Sequence, residues 1–275
     1  MTSTQKVIKY LATAFAIFLI ITIMSAILSG VYMIFNIFGV VDNDYVTNDL
    51  KTISNETIEI SSLKIDLDYT NLEIISGDTF SVETNNSKIS YKNNNGSIKI
   101  KEENINWLNK TNNNSNLIIY IPENMTMLDE INVTLGAGKL YVEKLSTQRL
   151  DLELGAGEVN IENLTVLNEG KIDGGAGKIE LKYSEINNLE ANLGVGDFNF
   201  VGKLIGKSEI DSGIGQININ LLDSKENYRL EIDKGIGNIT IDDEELQMNR
   251  IYGTGSNYLD IDGGIGNIKI NFNEE

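Results

Sequence analysis

The pattern that first suggests chemistry is a Gly-x-Gly pair that occurs seven times: Gly136-Ala137-Gly138, Gly155-Ala156-Gly157, Gly175-Ala176-Gly177, Gly194-Val195-Gly196, Gly213-Ile214-Gly215, Gly235-Ile236-Gly237 and Gly264-Ile265-Gly266. Glycine-rich turns often cradle phosphates, but the accompanying residues here are wrong for it. A phosphate loop needs Gly-x-x-x-x-Gly-Lys-Ser/Thr, which is absent. A dinucleotide fingerprint needs Gly-x-Gly-x-x-Gly opening a helix, whereas strand-like alternation follows each pair in this chain. Residues 174–179 and 263–268 resemble the calcium-binding RTX nonapeptide, but that motif places Asp where Ile179 and Ile268 stand. Without that carboxylate the turn has no ligand for the ion.

Carboxylates are the second candidate. Two residues before the pairs stand Thr134, Glu153, Asp173, Asn192, Asp211, Asp233 and Asp262. Four before them stand Asn132, Asp151, Lys171, Glu190, Glu209, Glu231 and Asp260. If the repeats stack, these positions form a carboxylate-rich face with like charges closely spaced. The plain reading is a solvated wall. The sharper one is a weak divalent-cation face made by Asp211, Asp233, Asp262, Glu209, Glu231 and Asp260, because hard cations take several oxygen ligands. Polysaccharide hydrolases also work with paired carboxylates. Here carboxylates are too abundant to discriminate, and three arginines (Arg149, Arg229, Arg250) with one tryptophan (Trp107) leave little to grip a sugar chain.

Composition removes other chemistries. Cysteine and histidine are both absent, which excludes disulfides, thiolate nucleophiles, Cys/His zinc sites and His-based triads. No catalytic residue and no cofactor are expected. With 22 Lys+Arg against 40 Asp+Glu the net charge is -18, and a surface of that sign repels nucleic acid.

The elements that hold these residues follow from hydropathy and period. No charge occurs in residues 10–41, and residues 11–28 alone are long enough to cross a bilayer core as a helix. Lys6 and Lys9 precede the run and Asp42 and Asp44 follow it, which places the N-terminus in the cytoplasm and the rest outside the cell membrane. A cleaved signal peptide has the same charge order, but this run exceeds a usual h-region and lacks a clean A-x-A site. Beyond it, apolar residues alternate with period two on both sides of every glycine pair, as in Leu150/Leu152/Leu154 before and Val159/Ile161 after. The middle residue of each pair, always Ala, Val or Ile, reads as continuing the inward phase. The next apolar residue comes three positions later, a step that marks a corner or bulge, for which glycine is suited.

The first glycines are 19, 20, 19, 19, 22 and 29 positions apart. Such a period means stacked repeats that bury a core only together. The fold expected is all-β, a parallel β-solenoid of about seven Gly-x-Gly coils behind one transmembrane helix. Its parts are a tail (1–9), the helix with an interfacial extension (10–41), a linker (42–57), an irregular N-terminal β cap (58–130) and the repeats (131–275). The inserts 223–227 and 242–247 read as wall loops. The chain end, residues 271–275, reads as a thin charged cap on the far edge.

With the repeats aligned, residues 117–122 followed by 131–140 resemble the strand–Pro–strand–Gly-x-Gly–strand core of the bacterial putative-adhesin family of domains of unknown function, LiaG/YvlB-like. An N-terminal membrane helix is similar to LiaG-like members in particular. The resemblance implies a right-handed β-solenoid on the cell envelope, with roles in adhesion or envelope stress, and no catalytic residues. Three functions follow. The first is a non-enzymatic envelope protein binding another envelope protein or a cell-wall polymer, held in the lipid bilayer by residues 10–41. The second is an accessory component of a membrane stress-sensing system. The third is a carbohydrate-active β-helix enzyme.

Overall fold

In the computed structural model the described residues are 46–56, 59–103, 115–125, 127–246 and 250–273. The expected membrane segment 10–41 lies outside them. Among the described residues no helix is long and apolar enough to cross a membrane, and the one helical piece noted is a 3-10 turn at Lys225–Asn227. Strands account for the rest of the regular structure, as the period-two pattern requires.

Each Gly-x-Gly pair belongs to a rung of a parallel stack. Leu128–Val142, Leu145–Ile161, Leu164–Asn187 and Leu189–Ile205 run through their glycine pairs without a break. Their register holds across the pair: Val133, Leu152, Ile172 and Ala191 align before it, and Leu140, Val159, Ile179 and Phe198 align after it. All eight are buried. The rung with the smallest residue, Ala191, also carries Phe198 and Phe200, so small and large side chains share one layer and keep the interior filled.

The order of rungs in space differs from their order in sequence. Asn257–Ile265 pairs in parallel with Lys207–Ile214 on one side and with Tyr228–Ile236 on the other. Ile268–Phe272 likewise lies between Ile217–Leu221 and Ile239–Ile241. Gly215 N donates to Ile265 O at 2.9 Å, and Gly266 N donates to Ile236 O at 2.8 Å. The last rung of the chain is therefore internal, and the expectation that residues 271–273 cap the far edge is wrong. That edge is the Gly235 rung. It is covered by Arg250–Tyr252, antiparallel to Tyr228–Ile236, and by Glu244–Leu246, antiparallel to Ile239–Ile241. The insert beginning at 242 is thus a hairpin. Asp242 and Asp243 both have positive φ (47° and 63°), the geometry of a tight two-residue turn. Short strands carrying Glu244 and Glu245 are a usual way to blunt a sheet edge.

The N-terminal side is built the same way. Ser62–Leu67 and Asn71–Gly77 pair in parallel with Leu128–Val142. Beyond them lies a further rung, Ser97–Glu102 with Asn116–Pro122, again parallel. It is covered antiparallel by Ile89–Asn94 and by Phe80–Asn86, and Val46–Glu56 covers the latter. At the C-terminal end a later rung is thus inserted inside an earlier one, whereas at the N-terminal end the later rung, Ser97–Glu102 with Asn116–Pro122, is outermost and the earlier one lies between it and Leu128–Val142.

Candidate functional site

The glycines form two ladders. The second glycine of each pair adopts positive φ, for example +146° at Gly177 and +152° at Gly215. A Cβ built there would overlap the carbonyl oxygen of the second glycine one rung earlier in the stack, Gly157 or Gly196. A Cβ on the first glycine would meet the first glycine's carbonyl in the same way, as Gly194 does with Gly175. Both positions bring backbone against backbone, which only glycine permits. The side-chain-free troughs of the surface come from these ladders.

Between the ladders stand the middle residues, and they face solvent. Val195, Ile214, Ile265 and Ile236 are 42%, 41%, 40% and 53% exposed, and Ala156 and Ala176 are exposed too. The inward phase expected for them is therefore wrong. The middle residue already faces outward and the second glycine that follows it has a positive φ, so the phase slip occurs inside the pair and not after it. In spatial order the ridge reads Ala137, Ala156, Ala176, Val195, Ile214, Ile265, Ile236.

The six carboxylates singled out from the sequence do converge, because the inserted rung brings them to three adjacent strands. Asp211, Asp262 and Asp233 align in one column, and Glu209, Asp260 and Glu231 in the next. Burial, then the charges of Asp211, Asp260, Asp233 and Glu209, push the Asp262 carboxyl above its ordinary range. Tyr258 OH donates to Glu231 Oε2 at 2.6 Å and to Asp260 Oδ2 at 3.3 Å, and the Arg229 guanidinium lies 5.5 Å from the Tyr258 ring centroid. Lys207 Nζ reaches Glu209 at 3.8 Å. Asp211, Asp262 and Asp233 have no ion-pair partner among the described side chains. No group of three or more acidic side chains among the described residues is arranged to hold a metal ion.

Further along the wall a lysine relieves the first of these columns. Lys171 bonds Asp173 at 2.8 Å and, with Asn192, holds its carboxyl below the ordinary range. On the strand after the glycine pair, in a separate column, Lys178 and Lys182 lower Glu180. Unrelieved charge is thus concentrated at the Gly213, Gly264 and Gly235 rungs. There a concavity of ≈ 770 Å³ is lined by Asp211, Asp262 and Asp233 together with the glycines that precede the ridge residues. Beneath the Gly157–Gly196 stretch an apolar-walled cavity of ≈ 30 Å³ has room for about one water.

Sequence reasoning missed one polar cluster. Glu102 is 3% exposed, yet its carboxylate is fully engaged. Oε2 accepts from Asp68 N and Tyr69 N at 2.8 and 3.0 Å; Oε1 accepts from Thr70 Oγ1 and Asn86 Nδ2 at 2.9 and 2.8 Å. Residues 68–70 occupy the Gly-x-Gly position of their rung, since Ala137 N donates to Asp68 O at 2.8 Å. Glu102 ends the ladder by supplying acceptors where the next backbone would stand. A charged residue closing the strand 97–102 was the available signal.

Fold and surface together define a parallel β-repeat protein whose outward face is a set of side-chain ladders. The chain belongs to the Toastrack DUF4097 family, whose model matches residues 60–250. Among solved structures it is similar to a putative cell adhesion protein from Clostridium sporogenes, at 18% identity over 82% of this chain and 98% of that one, with a TM-score of 0.36. A putative adhesin from Parabacteroides distasonis matches at 12% identity over 80% and 97%, with a TM-score of 0.42. A putative lipid binding protein from the same organism matches at 15% identity over 82% and 98%, with a TM-score of 0.38. No curated protein matches significantly.

Proposed function

We propose that this chain is a non-enzymatic envelope protein that holds its rung stack outside the bacterial cell membrane as a binding wall. In this reading it is LiaG/YvlB-like: residues 10–41 span the bilayer, the N-terminus is cytoplasmic, and the described rungs wind right-handed on the outer side. The partner is another envelope protein or a cell-wall polymer. The observation that carries the reading is the in-register surface, where seven successive rungs repeat one exposed ridge and its flanking columns. Repeat stacks of this kind work as extended binding surfaces.

Epitope tags at both ends test the topology. Protease added to protoplasts should remove the C-terminal tag and spare the N-terminal one, which becomes sensitive only on lysis. Protection of the C-terminal tag in sealed protoplasts would overturn the reading.

A further inference from the structure

Three of the four rungs with bulky middle residues, those of Ile214, Ile265 and Ile236, form the acidic end of the wall, and the Val195 rung adjoins them. Rungs with Ala at the middle position have the same glycine ladders and the same register as rungs with Val or Ile. Backbone geometry therefore does not demand a branched side chain there, and solvent disfavours one. Val195, Ile214, Ile265 and Ile236 nonetheless form an unbroken aliphatic ridge across adjacent rungs, each at least 40% exposed. Glycine on either side leaves their flanks bare, and the concavity lined by the glycines before them is also lined by Asp211, Asp262 and Asp233.

We propose that this ridge and its carboxylate column dock a basic amphipathic helix of a partner protein, laid along the stacking direction. The proposal rests on the reading of the stack as a binding wall and names the partner's chemistry. Rungs repeat at about 4.8 Å, close to the 5.4 Å helix pitch. One aliphatic residue per turn can thus follow four rungs with a cumulative mismatch of about 2 Å. An extended strand repeats its side chains on one face at about 6.8 Å and loses step within two rungs. Lys or Arg one position round the helix would lay its stem in the glycine trough and bring its charge to the carboxylates. A second copy of the chain, with its own charge of -18, or an anionic lipid surface is repelled by the same column.

The test uses the full chain in nanodiscs of phosphatidylcholine, with empty nanodiscs as the blank. The probe is a labelled helical peptide with Leu once per turn flanked by Lys, beside a version with the same residues scrambled and one with Glu for Lys. The Leu/Lys helix should bind and gain helicity, and the other two should bind at least tenfold more weakly. The variants I214S/I265S and D211N/D262N/D233N, all on exposed or half-exposed positions, should each weaken binding about tenfold while melting like the parent. Equal binding of the scrambled peptide, or no effect of either variant, would overturn the proposal. So would self-association of the chain lost in I214S/I265S without peptide binding, which would assign the ridge to a second copy. The nanodisc measurement is indifferent to which side of the membrane the stack occupies in cells, so its failure leaves the topology reading standing.

Discussion

Glu102 does for Asp68 what each glycine rung does for the next: its Oε2 accepts the Asp68 backbone N–H at 2.8 Å, where a further rung's carbonyl would otherwise stand. The carboxylate also takes Tyr69 N–H, Thr70 Oγ–H and Asn86 Nδ2–H, so all of its partners are donors. Glu102→Gln places an amide N–H₂ against donors, leaving buried groups unmatched at a cost of about 2 kcal/mol. Urea unfolding should show that loss, and amide exchange should quicken first in residues 62–77. A midpoint equal to the parent's would show that the carboxylate is dispensable as a ladder end.

The ladders make a sharper contrast within one pair. Gly177→Ala must put a Cβ on the Gly157 carbonyl at a φ of +146°, a strained backbone as well as a clash. It should cost on the order of 3 kcal/mol or more. Ala176→Ile, one residue away and pointing to solvent, should change stability by less than about 0.5 kcal/mol. Comparable losses in both variants would mean that the middle residue is packed inward.

Two aspartates on the same face should titrate with opposite effect. The folded Asp262 carboxyl is raised by burial and its acidic neighbours, so its ionisation opposes folding at neutral pH, and that penalty is relieved as pH falls through the raised value. The Asp173 carboxyl is lowered by its bonds to Lys171 and Asn192, so its contribution is present above about pH 4 and is lost as pH falls through the depressed value. Asp262→Asn should therefore raise the melting temperature slightly at pH 7, with the gain shrinking toward pH 4. Asp173→Asn should lower it at pH 7, with the loss shrinking below pH 4. Salt should compress both effects, since each group is near the surface. Melts across pH decide it, and the same sign for both variants at pH 7 would refute the assignment.

How much of this was legible in the sequence depends on the range of the determining interaction. Alternation around residues such as Leu150/Leu152 and Val159/Ile161 is local, so strands and core faces could be read directly. The glycine spacing likewise announced stacking. The outward turn of Ile214 could not be read, because apolar residues at exposed positions mimic core ones and the sequence does not show the backbone conformation of the glycines beside it. Nor could the insertion of the Gly264 rung between Gly213 and Gly235, a long-range pairing for which even spacing gives no hint. That insertion is what gathers Asp211, Asp262 and Asp233, so the composition of the acidic face was visible while its concentration was not. Glu102 escaped because its donors lie 16 to 34 positions away.

The Gly-x-Gly ridge faces outward from the stack, and the proposed topology places the stack outside the cell. The chain has no cysteine, so single substitutions report cleanly. I214C places a thiol on the ridge, and I217C places one at a position that is 1% exposed in the core. A membrane-impermeant maleimide applied to intact cells should label I214C promptly and reach I217C only after denaturation. Labelling of I214C that requires lysis would overturn the proposed topology, and labelling of I217C as fast as I214C would overturn the outward ridge.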